Sequence, residues 1–205
     1  FEKDIETGIH LKIKNIITVQ LQIFQTQITD AIERREATLN ELDSMNYDGE
    51  MMKIMMNTNI GRATIKGLNF AYQLKINKQF SHNTIINALH GETVDGLPLA
   101  HIPPTSITST LNYEYNNQAI SLSTHYNALK KAIDYDLGGV DNLEEATQIG
   151  NPSWYTLSLK YSNSLDKNLT FIAGIQNIMD IHYKTFGSGI SASGRNFTLS
   201  LRANF

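Results

Sequence analysis

The chain ends on the stretch Arg195-Asn196-Phe197-Thr198-Leu199-Ser200-Leu201-Arg202-Ala203-Asn204-Phe205. Odd-numbered positions from Phe197 to Phe205 are apolar, and the even-numbered positions between them are polar. Successive side chains of a β-strand point to opposite faces, so this stretch predicts a strand with one apolar and one polar face. A half-buried strand of a soluble protein would show the same pattern, but here most of the chain repeats it.

The alternation recurs in about nine segments, which we interpret as nine β-strands. The predicted strands cover residues 7–13, 17–27, 57–74, 84–91, 107–115, 120–127, 154–161, 169–176 and 196–205. Short turns at 14–15, 77–78, 116–117 and 164–168 alternate with longer loops at 33–48, 95–104, 133–151 and 181–193. The loop at 33–48 is charged and allows a helical turn at 37–42.

Composition excludes several classes of protein. The formal net charge is −3 at pH 7, without the excess of basic residues typical of nucleic-acid-binding proteins. We therefore expect no nucleic-acid partner. Cysteine is absent, which excludes disulfides and thiolate metal sites. The sequence contains no run of about 18 apolar residues, so no transmembrane helix is predicted. The chain opens on Phe1-Glu2-Lys3-Asp4 without a signal peptide, and we expect it to be a piece of a longer protein.

The arrangement of turns favours a membrane barrel. An antiparallel meander with short turns at one end and long loops at the other is typical of transmembrane β-barrels. Aromatic residues on the apolar parity lie near the short-turn end, as an interfacial girdle would: Tyr72, Tyr113, Tyr115, Tyr161 and Phe205. The alternative is a soluble β-sandwich or lipocalin-like barrel, whose apolar face would form the core.

An odd number of strands has a consequence for a membrane barrel. Bacterial single-chain barrels have an even number of strands, and nine strands would leave two open edges. Unpaired backbone groups at such edges are very costly in lipid. We therefore expect the remaining strands to lie upstream or on another chain.

Five segments resemble the C-terminal part of TonB-dependent outer-membrane receptors, in the family's order and across nearly the whole chain. They are the strand Asn59-Ile60-Gly61-Arg62-Ala63-Thr64-Ile65-Lys66-Gly67-Leu68, the proline-rich loop at 98–104, the penultimate-strand motif at 168–183, the Gly-Arg segment at 187–197, and the terminal Phe205. Ile178-Met179 departs from the middle of the family's penultimate-strand motif.

The resemblance implies an all-β fold, an antiparallel transmembrane barrel of which residues 1–205 form the last nine or so of 22 strands around a plug. It implies an integral position in the outer membrane of a Gram-negative bacterium, in contact with lipid. TonB would act through a plug that this chain does not contain. The barrel-insertion machinery would recognise the terminal strand at Phe197, Leu199, Leu201 and Phe205.

The function implied by the resemblance is active import of a scarce iron-bearing nutrient, an iron-siderophore or haem. Residues 136–155 loosely resemble haem and haemoglobin receptors. Two alternatives stay open. One is a barrel with no active transport role, either a passive pore or a surface scaffold; the other is a copper-specific receptor.

No catalytic constellation occurs in the sequence. The six histidines are scattered, and neither a metalloprotease motif nor a nucleophile elbow is present. Lone histidines on the polar parity, such as His10 and His125, are expected to be hydrogen-bonded wall residues. We expect no enzymatic activity and no cofactor.

A methionine cluster is the first feature that could contact a substrate. Five of the six methionines are Met45, Met51, Met52, Met55 and Met56. Thioethers bind soft metals such as Cu(I), and on one continuous strand Met52 and Met56 would share a face. Ordinary apolar packing under a loop is the alternative, because methionine fills irregular space.

Two further sets of residues are candidate ligand sites. The acidic loop residues Asp134, Asp136, Asp141, Glu144 and Glu145 form either a solvated surface loop or a site for calcium or a basic protein. His182, Tyr183 and Arg195 flank the last loop and could bind a ligand. The resemblance also accounts for this second set as part of the structural motif.

Overall fold

One antiparallel sheet dominates the computed structural model, which describes residues 2–204. The strands are β1 (Glu2–Ile13), β2 (Ile17–Glu36), β3 (Ser44–Tyr47), β4 (Glu50–Lys53), β5 (Met55–Lys75), β6 (Phe80–Thr93), β7 (Ser106–Tyr115), β8 (Gln118–Asn127), β9 (Lys130–Lys131), β10 (Gly150–Asn151), β11 (Trp154–Ser164), β12 (Leu169–Gln176) and β13 (Asn196–Ala203). Two 3₁₀ turns, at Ala132–Asp134 and Leu143–Glu145, lie in the longest loop. Phe205 lies outside the described residues.

Nine of these strands form a single meander in the order β1-β2-β5-β6-β7-β8-β11-β12-β13. Each strand pairs antiparallel with the next, which confirms the predicted strand number and all-β class. β3 with β4, and β9 with β10, form small separate hairpins within the loops. Within residues 2–204 the sheet is open, with β1 and β13 at its edges. No helix in this part of the chain is long and apolar enough to cross a membrane.

The loops differ sharply at the two ends of the sheet. Lys14, Asn15 and Asn116 have positive φ in the short turns, as tight hairpins require. At the other end β2 and β5 run 20 and 21 residues, well beyond the apolar band. The apolar alternation is lost there because residues 33–36 are all charged, with Glu33 buried and paired to Arg35, so the sequence predicted a loop from residue 33.

The predicted helical turn at 37–42 is wrong. Leu39 and Leu42 exchange backbone hydrogen bonds of 2.8 and 3.1 Å across a tight turn. Asn40 and Glu41, between them, have φ of 52° and 67°. Two consecutive left-handed residues close a hairpin-like turn and are incompatible with a right-handed helix.

Each face of the sheet changes its polarity along the strands, from the short turns to the long loops. On one face, Leu11, Val19 and Tyr72 are cross-strand neighbours near the short turns, whereas Gln25 and Lys66 follow on that face towards the long loops. We call this the apolar face, after its larger part. The opposite face, here the polar face, is lined by amides and hydroxyls near the short turns.

The polar face becomes apolar at the long-loop end, where a loop covers it. Ala63 packs with Leu99 and Ile102, with Leu89 beside them, to form the buried cluster of this region. A Cβ on Gly91 would lie 2.6 Å from Ile102 Cδ1, so only glycine lets the loop approach this closely. The sheet therefore contributes a small core only where the loops fold back onto it.

A polar cluster interrupts the apolar face on β5, β6 and β7. His82 shares hydrogen bonds with the Tyr72 hydroxyl (2.7 Å, at Nδ1) and with Ser109 Oγ (2.9 Å, at Nε2). Thr84 Oγ1 donates to the same Ser109 oxygen at 3.2 Å. The polar groups satisfy one another, which limits the cost of placing them among apolar neighbours.

Candidate functional site

Three loops fold together against the polar face at the long-loop end. We call residues 94–105, 128–153 and 177–195 the loop platform. Asn142 Nδ2 donates to the backbone oxygen of Gly187 at 2.7 Å, and Lys184 Nζ pairs with Glu145 at 2.8 Å. Asn151 Nδ2 donates to the Lys184 oxygen at 3.3 Å. Side chains therefore join the second and third of these loops to each other.

Lys130 anchors the platform from inside. Its side chain is buried, and Nζ donates to the backbone oxygen of Ile102 at 2.7 Å. Nζ also lies 5.1 Å from the ring centroid of Phe186 and 6.0 Å from that of Tyr135. Burial lowers the pKa of Lys130, and the nearby carboxylates of the acidic loop act against that shift. One cation thus joins all three loops.

Asp141 forms a second anchor between two of the loops. Its carboxylate accepts from the backbone N–H of His101 at 3.0 and 3.2 Å, and His101 Nδ1 lies 3.0 Å from Oδ1. Asp141 is only 2% exposed. Burial raises its pKa above the ordinary value, and the hydrogen bond from His101 opposes the rise. The carboxylate is therefore a structural acceptor inside the platform.

These contacts revise the two interpretations of the acidic loop. Asp136 and Asp141 are buried, so the solvated-loop interpretation is wrong for them, whereas Asp134, Glu144 and Glu145 are exposed. Asp136 Oδ2 accepts from the Gly138 N–H at 2.7 Å. Among residues 2–204 no group of three or more His, Cys, Asp or Glu side chains is placed to hold a metal ion. The calcium interpretation gains no support from this geometry.

An aromatic stack lies below the platform on the polar face. Trp154 sits between His125, at a centroid distance of 5.3 Å, and Tyr183, at 4.1 Å with an interplanar angle of 31°. His125 Nδ1 shares a hydrogen bond of 2.8 Å with Thr108 Oγ1, as expected of a wall residue. Trp154 Nε1 is buried and has no acceptor within the described part of the chain.

A cavity of about 250 Å³ opens beside this stack. Its lining combines the apolar side chains of Leu89, Pro103 and Pro104 with amides, hydroxyls, an imidazole and an aromatic ring: Asn87, Asn127, Ser106, Thr185, His125 and Phe186. Such a lining can hydrogen-bond a polar ligand and stack against a planar one. Sequence patterns did not single out this site, because its residues come from three strands, β6, β7 and β8, and from two loops that are distant in the chain.

The three predicted ligand residues are placed separately. His182 Nε2 shares a hydrogen bond of 2.8 Å with Ser191 Oγ and is exposed. Tyr183 stacks on Trp154, and Arg195 Nε donates to the backbone oxygen of Ile178 at 2.8 Å. Tyr183 is the member of the three that lies in the aromatic stack. The structure does not bring the three together into one pocket.

The penultimate-strand motif has a clear structural role. Asn177 is 4% exposed and has φ of 48°. Its Nδ2 donates to the backbone oxygens of Ile181 (2.8 Å) and Ser193 (3.3 Å), and its Oδ1 accepts from the Ile181 N–H (3.0 Å). Asp180 Oδ1 accepts from the Arg195 N–H at 2.7 Å. The motif thus holds the last loop between β12 and β13.

The methionine cluster lies on two different elements. Met45 is the cross-strand partner of Met52 in the β3–β4 hairpin, whereas Met56 lies on β5 opposite Arg35. Ile54 separates β4 from β5, so no single strand carries both Met52 and Met56. Met45, Met51, Met52 and Met56 are exposed, which excludes ordinary packing under a loop for these four.

The fold and these motifs agree with one known family. A family model described as "TonB dependent receptor-like, beta-barrel" matches residues 4–178. The chain belongs to this family. No curated protein shows a significant sequence match to it.

Solved structures agree with the fold of a TonB-dependent receptor barrel. The copper transporter OprC superposes with a TM-score of 0.80 at 15% identity. The FrpB iron transporter from Neisseria meningitidis gives 0.74 at 13%, and a ferric enterobactin receptor variant from Pseudomonas aeruginosa gives 0.70 at 17%. Each comparison covers 100% of this chain and 31% of the other. The chain thus spans about a third of those receptors.

Membership in the TonB-dependent receptors assigns the two faces of the sheet. Barrels of this family lie in the outer membrane of Gram-negative bacteria, with an apolar exterior in lipid and a polar interior. The apolar face is therefore the exterior, and the loop platform, aromatic stack and cavity lie on the lumen side. In the described residues the sheet is open, so its edge strands β1 and β13 are available to pair with other strands of the receptor barrel.

The predicted insertion signal lies on the exterior of the receptor barrel's edge strand. Phe197, Leu199 and Leu201 are 70%, 77% and 64% exposed on β13. Their partners on β12 are Ile175, Ala173 and Phe171. The fourth predicted residue, Phe205, lies outside the described residues. Recognition of this strand by the insertion machinery remains a prediction.

Proposed function

We propose that this chain is the C-terminal part of a receptor that imports a scarce iron-bearing nutrient, an iron-siderophore or haem, across the outer membrane. TonB would supply the energy through a plug encoded with the earlier strands. The family match over residues 4–178 carries the proposal. An iron transporter and a ferric enterobactin receptor are among the structures with the same fold.

The lumen wall has the chemistry that such a passage requires. Its side chains bond to one another along the sheet: Gln22 with Asn69, Asn112 with Asn83 and Ser121, and Thr110 with Ser123. Because these neutral groups are already paired, they offer a ligand only weak, exchangeable hydrogen bonds. A wall of this kind supports movement of a polar cargo without trapping it.

The loop platform would form the binding region above that wall. Its rigid contacts place the aromatic stack and the cavity of about 250 Å³ at the point where the lumen begins. Aromatic rings and amides suit a planar porphyrin or the rim of a chelated iron complex. In this proposal the protein binds and transports its ligand, and no residue acts in catalysis.

Uptake by the full-length receptor tests this proposal. We expect cells that express it to accumulate radioactive iron from a ferric siderophore or haem, and to stop when the TonB-contacting segment is deleted. Surface binding of the nutrient should survive that deletion. Nutrient entry that is independent of TonB would contradict active import and favour a passive pore, and absence of both binding and entry would favour a scaffold.

Copper is the second candidate cargo. The observation that favours it is the exposed methionine cluster at the long-loop end, because thioethers prefer soft metals. Copper-dependent growth and copper uptake, measured in the same strains and with the same TonB deletion, would separate this cargo from iron.

A further inference from the structure

The methionines on the β3–β4 hairpin are exposed. Met45, Met51 and Met52 are 45%, 70% and 49% exposed. Leaving methionine side chains in water forfeits burial free energy of about 1.5–3 kcal/mol each, so packing does not account for the cluster. Their placement leaves the sulfur atoms accessible to a ligand that thioethers recognise.

The hairpin places two of these thioethers side by side. β3 and β4 are joined by Asp48-Gly49, whose positive φ values of 53° and 92° close a tight turn. The register pairs Met45 directly with Met52. Directly opposite Cβ atoms on antiparallel strands lie about 5 Å apart, so two flexible thioethers can both reach one ion between them.

Charge distinguishes the two faces of this hairpin. On the Met45–Met52 face, the next cross-strand pair is Tyr47 with Glu50, which adds a carboxylate. Met51 is on the other face, the face that also presents Lys53. Lys53 is held by an ion pair with Glu36. The Glu50 carboxylate therefore favours a cation beside Met45 and Met52, whereas the face of Met51 presents the Lys53 ammonium and no carboxylate of the hairpin.

We propose that the Met45–Met52 face of the β3–β4 hairpin binds a monovalent soft metal ion, Cu(I), with Ag(I) as its chemical equivalent. The sulfur atoms of Met45 and Met52 are the two protein ligands, and Glu50 contributes charge. Thioethers carry no proton to displace, so affinity changes little between pH 5 and pH 7, unlike that of a histidine site. The site does not depend on which nutrient the receptor imports.

Metal titration of the full-length receptor in detergent tests this site. Ag(I) is titrated by calorimetry, and Cu(I) by competition with a chromogenic chelator under reducing conditions. We expect Met45→Leu and Met52→Leu each to weaken binding by about 10-fold or more. The double variant should lose one equivalent of bound metal. Leucine has a similar volume and keeps the hairpin apolar, so folding should be preserved.

Two matched controls decide whether the pair is specific. Met51→Leu changes the opposite face of the same hairpin, and Met179→Leu changes an exposed methionine in a different loop. Both variants should bind Ag(I) and Cu(I) as the unchanged receptor does. Equal losses in Met51→Leu, or in Met56→Leu, would overturn the Met45–Met52 assignment, as would an unchanged stoichiometry in the double variant. The double variant is also assayed for uptake of the iron nutrient. Loss of metal binding with unchanged iron uptake is the expected result, and it separates this site from the proposed transport function.

Discussion

Asn177 shows how much one residue contributes to the lumen-side architecture. Its side chain satisfies backbone groups of Ile181 and Ser193 while its own backbone adopts a left-handed conformation. Asparagine is among the few residues that tolerate this conformation and carry both a donor and an acceptor. The residue therefore performs two tasks that no apolar substitute performs.

Replacing Asn177 by Ala should destabilise the receptor by about 1–3 kcal/mol, because buried backbone groups lose their partners. The measurement is the temperature at which the folded band of the full-length receptor converts to the unfolded band in detergent gels. Asn15→Ala is the matched control, since Asn15 has a similar φ of 56° in an exposed turn. An equal shift in both variants would assign the effect to backbone conformation alone.

At the scale of elements, the long loops are rigid parts of the fold. Asp141 and Lys130 hold the loop platform through backbone groups of His101 and Ile102. Buried charges of this kind are costly unless they are paired and hydrogen-bonded. Because burial raises the pKa of Asp141, the folded state binds its proton more tightly than the unfolded state does.

The pH dependence of stability follows from that difference. The contribution of Asp141 to the free energy of unfolding should fall as pH rises from about 4 through its folded pKa. Asp141→Asn removes this titration, so the stability of the unchanged receptor relative to the variant should decline over that window. Thermal unfolding from pH 4 to pH 7.5 measures the difference.

His101, Lys130 and Asp136 carry the charges that act on Asp141. Histidines titrate in an overlapping range, so the comparison is repeated in a His101→Gln background, which keeps the backbone donor. The same pH-dependent difference should remain there. Its disappearance would assign the pH dependence to the imidazole instead.

At the scale of the whole molecule, the sheet separates lipid from lumen by residue parity. Leu159 lies on the exterior opposite Leu122 and Ile175, whereas its neighbour Lys160 lies on the lumen side opposite Ser121. A native lysine is thus already tolerated one position away on the interior. This arrangement predicts very different costs for the same new charge on the two faces.

Leu159→Lys should cost about 2–4 kcal/mol in a bilayer, the range for lysine on the lipid face near the midplane. Ser162→Lys, on the lumen face of the same strand, should cost much less. Both costs are measured from the urea dependence of folding of the full-length receptor into lipid vesicles. Equal costs would contradict the assignment of the apolar face to lipid and return the soluble sandwich to consideration.

Local patterns in the sequence predicted the sheet well. Period-two alternation reports which face each side chain occupies, and Asn and Lys at the short turns mark where the chain reverses. The nine strands, their order and the short turns therefore follow from residues that are close together in the chain. The family motifs around Asn177 were also recognisable, although their role in joining β12 to β13 was not.

By itself, then, the sequence determined the strands, the two faces and the family, because those properties depend on neighbouring residues. Only the tertiary structure decided the loop platform, the aromatic stack and the Met45–Met52 pair. His101 and Asp141 are 40 residues apart, and Lys130 and Ile102 are 28 apart. No local pattern reports such contacts; they exist because adjacent strands carry their loops to one end of the sheet, where buried charges must find partners.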